Sequence, residues 1–195
     1  MKHPSNRDLF VHWNERRGDR LAPERGDIDP GAIRQSLGDT FVLALDHQGH
    51  HPFRLAGTRL CALFGRELKS EGFISLWEKP AQNSIRELIA VVTEEKTGVI
   101  ASVTATVASD PVLAVNMELL LLPLAHESRT ESRILGALGP MAAPYWMGAK
   151  PVGTLKLGMF RHVGPAVDTT EAPAVVAANA RVRHGLTVYQ GGRAD

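Results

Sequence analysis

The segment FRLAGTRLCALFGREL, residues 53–68, contains the single cysteine of the chain and raises the question of thiol chemistry. Cys61 lies between Leu60 and Leu63, whereas a reactive thiol requires exposure and nearby positive charge. One cysteine also excludes an internal disulfide and a CxxC metal or redox motif. We therefore expect Cys61 to pack as a small apolar side chain, in the core or in the wall of a ligand pocket.

Arg54 is the second candidate, because it lies in the middle of a predicted strand between Phe53 and Leu55. Side chains alternate along a strand, so Arg54 is expected to point away from both neighbours. It either faces water or lies under the N-terminal helix and pairs with a carboxylate such as Glu118. Alternatively, it faces a pocket and binds an anionic ligand through its planar guanidinium.

Three of the eight histidines, His47, His50 and His51, cluster in a predicted turn. Their spacing would suit a metal ion only if the turn were helical, and Asp46 is the one potential ligand beside them. We interpret this segment as a solvated loop and predict no metal site.

The spacing of apolar residues predicts several helices around these side chains. An amphipathic helix carries Leu9 and Trp13, and a short helix begins at Pro30. Residues 58–64 form another short helix, and residues 73–77 form a single helical turn. The longest helix begins at Pro80 and carries one apolar stripe, formed by Ala81, Ile85, Leu88, Ile89 and Val92.

Five predicted strands complete the fold: residues 40–46 and 53–57 as a hairpin, then 99–107, 112–124 and 132–139 as a meander. Residues 99–107 alternate apolar and polar side chains, as a half-solvated antiparallel strand does. Residues 154–163 can supply one more strand. The fold class is therefore α+β: a five-stranded antiparallel sheet with helices on one side, an N-terminal helix and a C-terminal extension.

We expect one domain of 195 residues, divided into an N-terminal helical segment 1–38, a sheet domain 39–139 and an extension 140–195 that is partly mobile. The net charge of +1 argues neither for nor against a partner, but the absence of an uninterrupted basic stripe argues against nucleic acid. No apolar run is long enough to span a bilayer, and the single cysteine fits a reducing compartment. The expected location is the cytoplasm, without membrane contact.

Three blocks resemble a bacterial stand-alone PAS-like family: Trp13 with RLAPERGDIDPGAIR of residues 20–34, the segment 53–68, and Phe73 with Trp77. The resemblance spans about residues 9–139. It implies a hairpin, short helices and a long helix that enclose a pocket against the sheet. The pocket candidates are then Arg54, Cys61, Phe64, Phe73, Trp77, Leu88 and Met117, which would otherwise be core residues.

The same resemblance bears on cofactors, although it leaves their identity open. A flavin-adduct cysteine in photosensory relatives needs a surrounding asparagine, arginine and glutamine set that this sequence lacks. Haem-binding relatives place an axial histidine on the long helix, which has none here. Haem and a flavin adduct are therefore not expected, and a small apolar or anionic ligand is the alternative.

The resemblance implies a sensory or regulatory module that acts in signal transduction through protein contacts, with a small molecule in its core as a potential gate. We expect a homodimer through an exposed face carrying Leu9 and Trp13, and an unidentified signalling partner. One alternative is a small-molecule-binding protein without a signalling partner. The other is an enzyme of a cone-shaped α+β fold using Asn116, Glu118 and His126; with no nucleophile motif present, we predict no enzyme.

Overall fold

The computed structural model describes residues 1–46, 48–125 and 133–164, together with the backbone of residues 180–183 and 186–189. It contains three α-helices in this part of the chain: α1 (Pro4–Arg17), α2 (Thr58–Phe64) and α3 (Lys79–Glu94). Short 3-10 helices span Arg25–Asp27 and Phe73–Leu76.

An antiparallel sheet of six strands forms the centre of the fold, in the order β2-β1-β5-β4-β3-β6. Its strands are β1 (Thr40–Ala44), β2 (Phe53–Ala56), β3 (Gly98–Val107), β4 (Asp110–Leu124), β5 (Arg133–Pro140) and β6 (Val152–Val163). A separate hairpin pairs β7 (Ala180–Arg183) with β8 (Leu186–Tyr189). The predicted α+β class is confirmed, with one strand more than the five predicted.

Helices α2 and α3 cover what we call the inner face of the sheet. The apolar stripe of α3 is buried there, as its spacing predicted. In β3, the side chains of Val99, Ala101 and Val103 point to the inner face and are buried. Those of Ser102 and Thr104 are exposed on the opposite face of the sheet. The alternation expected for residues 99–107 is therefore present.

Helix α1 and residues 18–38 cover part of the opposite, outer face. Leu9 and Trp13 are each 0% exposed in this second apolar cluster, with Leu120, Leu122 and Leu135 of the sheet. The Trp13 Nε1–H donates to the Pro123 carbonyl at 2.8 Å. The prediction that Leu9 and Trp13 are exposed is wrong, because the outer face of β4 and β5 is apolar and must itself be covered.

Strand β6 extends the sheet beyond the predicted end of the sheet domain at residue 139. It pairs antiparallel with β3, from Gly98 opposite Val163 to Val107 opposite Val152. Trp146, Val152 and Leu155 join the inner core. The boundaries 1–38, 39–139 and 140–195 stay a prediction, and most of residues 165–195, including the expected mobile end, lie outside the described residues.

Candidate functional site

The pocket predicted inside the fold is occupied by packed side chains. Phe64, Phe73, Trp77, Leu88 and Met117 all lie in the inner core, each exposed by 2% or less. The Phe73 ring lies between the rings of Phe41, Phe53 and Trp77, with centroid distances of 5.5, 5.7 and 5.7 Å. The structure therefore brings these residues together as core, and a ligand role for them stays a prediction.

Arg54 lies apart from this core because β2 is bulged. Leu55 is opposite Val42, and Phe53 is opposite Leu43, so Arg54 is the extra residue between them. A bulge breaks the alternation of side chains, and Phe53 is buried in the inner core while Leu55 is on the outer face with Val42. Arg54 is exposed. The prediction that it points away from both neighbours is wrong.

Cys61 is half-buried on α2, and its Sγ–H donates to Glu67 Oε1 at 3.6 Å. Burial raises the pKa of the Cys61 thiol, and the negative charges of Glu67 and Glu71 raise it further. A raised pKa keeps the thiol protonated at neutral pH, so the site does not activate a nucleophile.

Glu118, expected as a partner of Arg54 or as a catalytic residue, instead binds the start of α1. Its carboxylate accepts the backbone N–H groups of Lys2 and His3 at 2.9–3.0 Å and the Asn6 side-chain amide at 3.2 Å. Burial works to raise the pKa of Glu118, but these donors outweigh burial and the pKa lies below its ordinary value. The pairing of Arg54 with Glu118 is therefore wrong.

Asn116 and His126 are the other two residues considered for an enzyme. Asn116 is exposed on β4, and His126 lies outside the described residues. His47 is also outside them, whereas His51 is buried, so the loop is less solvated than predicted. Within residues 1–46, 48–125 and 133–164, no group of three or more His, Cys, Asp or Glu side chains is placed to hold a metal ion.

Asp39 is a buried carboxylate that joins three parts of the chain. It accepts Ser5 Oγ of α1 at 2.6 Å, and Arg59 of α2 donates to both of its oxygens at 2.8 Å. Arg59 also donates to the Gln35 carbonyl at 2.7 Å. Gly57 permits this junction, because a Cβ there would collide with the Leu37 carbonyl oxygen.

A cavity of about 320 Å³, which we call the outer cavity, lies next to this junction on the outer face of the sheet. Val42 and Leu135 form its floor, and Ile33 and Leu37 form one wall. Leu55, 41% exposed, lies on the opposite wall at the sheet edge. None of the predicted pocket residues lines it.

Arg25 is the charged residue among the described residues that line the outer cavity. It is half-buried, and no hydrogen bond or ion pair joins its side chain to any residue that the structure describes. The neighbouring Arg20, by contrast, binds Asp27 at 2.8 Å. Sequence analysis did not single out Arg25, and its only signal was its place inside the block of residues 20–34.

The rest of the outer face, away from α1, is open to solvent. This open face is formed by Ser102 and Thr104 of β3, Asn116 of β4, and Lys156, Met159 and Arg161 of β6. Thr104 lies between Asn116 and Lys156 in the register, and Arg161 is opposite Ile100. Strands β3 and β6 contain no Asp or Glu. Glu118 of β4 is opposite Ser102, but it is only 9% exposed and is bound to the start of α1. The exposed charges among these side chains are therefore those of Lys156 and Arg161.

The sequence matches one known protein family over most of its length. The sequence model of the family described as "PAS domain" matches residues 1–139. The chain has no match among the curated proteins.

In the part of the chain that the structure describes, no helix is both long and apolar enough to cross a bilayer.

Two solved structures are similar at low identity. One is titled an RNA-binding light-oxygen-voltage receptor, with 16% identity and a TM-score of 0.42 over 65% of this chain. The match covers 36% of that receptor, so the chain spans about a third of its length. The other is a PAS domain of a protein from Colwellia psychrerythraea, with 15% identity and a TM-score of 0.37, covering 57% of this chain and 97% of that one.

Proposed function

Because this chain belongs to the PAS domain family, we propose that it is a sensory module that passes its signal to an acidic protein surface through the open face of its sheet. The observation that carries this proposal is the uneven cover of the outer face. Helix α1 packs on β4 and β5, while the exposed side chains of β3 and β6 remain in solvent.

The composition of the open face favours a protein partner of opposite charge. Lys156 and Arg161 supply two positive charges, and Met159, 87% exposed, supplies an apolar contact. Complementary charge steers association and suppresses the wrong partners. A second copy of this chain would bring like charges together on this face. The predicted homodimer therefore has to use another surface, and sedimentation velocity tests whether it forms.

Photocrosslinking in the source organism tests the proposal. A photoreactive phenylalanine analogue at Thr104 is expected to capture one acidic protein, identified by mass spectrometry. The same analogue at Val11, exposed on α1, is the matched control and should not capture it. The double variant Lys156→Glu, Arg161→Glu should reduce the adduct at least tenfold, since like charges across an interface repel strongly. An adduct that is unchanged by charge reversal, or equal from Val11, contradicts the proposal.

A further inference from the structure

The outer cavity is distinct from the open face and requires its own explanation. Its described lining is mainly apolar, yet it includes the half-buried Arg25 side chain, which has no described partner. Two neighbouring arginines are engaged, since Arg20 binds Asp27 and Arg59 binds Asp39, whereas Arg34 and Arg54 are exposed to solvent. An arginine at the mouth of an apolar cavity that has no described counter-charge leaves its guanidinium donors available to an anion.

The shape and lining of the cavity restrict what this anion can be. A volume of about 320 Å³ is at the lower end of the range for small-molecule pockets, roughly 300–1,000 Å³. Val42, Leu55 and Leu135 offer apolar surface, which favours a hydrocarbon or aromatic body. Among the described residues that line the cavity, none is acidic and Arg25 is the one cation, so a single anionic group is the complement.

We propose that the outer cavity binds a small amphipathic carboxylate. The carboxylate accepts hydrogen bonds from the Arg25 guanidinium, whose planar donor geometry suits two oxygens. The aliphatic or aromatic body lies between Leu55 and the floor of Val42 and Leu135. This site is on the face of the sheet opposite the packed aromatic side chains around Phe73.

The test is a methyl NMR titration of the full chain with octanoate, 2-naphthoate and the neutral 2-naphthylmethanol. The carboxylates should shift the methyl signals of Val42, Leu55 and Leu135 and leave those of Leu88 in the inner core unchanged. We expect 2-naphthoate to bind roughly 10- to 100-fold more tightly than the neutral alcohol, as hydrogen bonds to charged groups contribute this much.

Three variants separate the role of Arg25 from general charge attraction. Arg25→Gln should remove the preference for the carboxylate, whereas Arg34→Gln, an exposed arginine of the same segment, should retain it. Leu55→Trp should fill the cavity from its exposed side and weaken both carboxylates at least tenfold. Because Arg25, Arg34 and Leu55 are not fully buried, these variants are expected to fold, which their methyl spectra report.

Three results would overturn the proposal. The first is no binding of either carboxylate at millimolar concentration. The second is equal binding of 2-naphthoate and its alcohol. The third is a carboxylate preference that survives Arg25→Gln. Each concerns the outer cavity alone, so the crosslinking at Thr104 remains an independent test of the proposed partner surface.

Discussion

Replacing Phe73 with alanine tests whether the inner face of the sheet is packed core or an open ligand pocket. Phe73 is 1% exposed and contacts the rings of Phe41, Phe53 and Trp77. Burial of a phenylalanine in a packed core makes truncation to alanine cost about 3–5 kcal/mol. Aromatic pairs contribute about 0.5–1.5 kcal/mol beyond burial, so three lost pairs place the loss near 4–5 kcal/mol.

Urea unfolding followed by tryptophan fluorescence measures this loss. The three tryptophans are all buried, so unfolding exposes each of them to water. For a chain of this size, a loss near 4–5 kcal/mol should also lower the melting temperature by roughly 8–20 °C. Val112→Ala is the control, because Val112 is 88% exposed and its truncation should change stability by less than about 0.5 kcal/mol.

Benzene provides a second measurement on the same variant. A cavity left by Phe73→Ala is apolar, so benzene should bind it and recover part of the lost stability. The wild-type protein should not respond, because its side chains already fill that space. A loss below about 1 kcal/mol, or equal stabilisation of wild type by benzene, would refute the conclusion that the inner face is packed.

Glu118→Gln is expected to cost about 1.5–3 kcal/mol of unfolding free energy, since it removes charged hydrogen bonds to the start of α1. Because the pKa of Glu118 is lowered, this stabilisation is present above its ordinary value of 4.5 and is lost as pH falls through the lowered pKa; urea unfolding at pH 3 and pH 7 should show a smaller difference in the variant. Leu155→Ala should cost about 2–5 kcal/mol, against less than about 0.5 for the exposed Lys156→Ala, in thermal unfolding. Cys61 should react with iodoacetamide at pH 7.5 more slowly than free cysteine, by mass spectrometry, because burial raises the pKa of its thiol.

The elements with a simple period were predictable from sequence. The stripe of α3 and the alternation of β3 each follow from one repeated geometry, so their buried residues could be listed in advance. The sequence also grouped Phe64, Phe73 and Trp77 as neighbours, although as candidates for a pocket, and the structure packs them as core. These features depend on which residues are buried along one helix or strand, and the spacing of apolar residues in the sequence indicates this directly.

The predictions that were wrong concern contacts between distant parts of the chain, which the spacing of apolar residues does not indicate. The side of α1 that faces the sheet buries Ser5, Asn6 and His12 beside Leu9 and Trp13, so its contact surface is partly polar. An apolar period cannot reveal a surface whose hydrogen-bond partners, such as Asp39 and Glu118, are more than 30 residues away.

The bulge at Arg54 has the same origin, because one extra residue reverses the expected direction of the side chains around it. The outer cavity is harder still to predict. It forms only where residues 25–38 cross strands β1, β2 and β5, so Arg25 acquires its surroundings from tertiary structure.

Strand β6 also changes which strand is exposed at one edge of the sheet. Without β6, the edge of the sheet would be β3, an uncharged strand rich in β-branched residues to which strands of other chains could pair. The edge that replaces it is interrupted by register shifts near Gly158 and near Gly153, and it carries Lys156 and Arg161. Such an edge cannot offer a continuous ladder of hydrogen bonds. Strand β6, which lies beyond the family match, therefore covers β3, and we expect this to hinder the pairing of β3 with other copies of the chain.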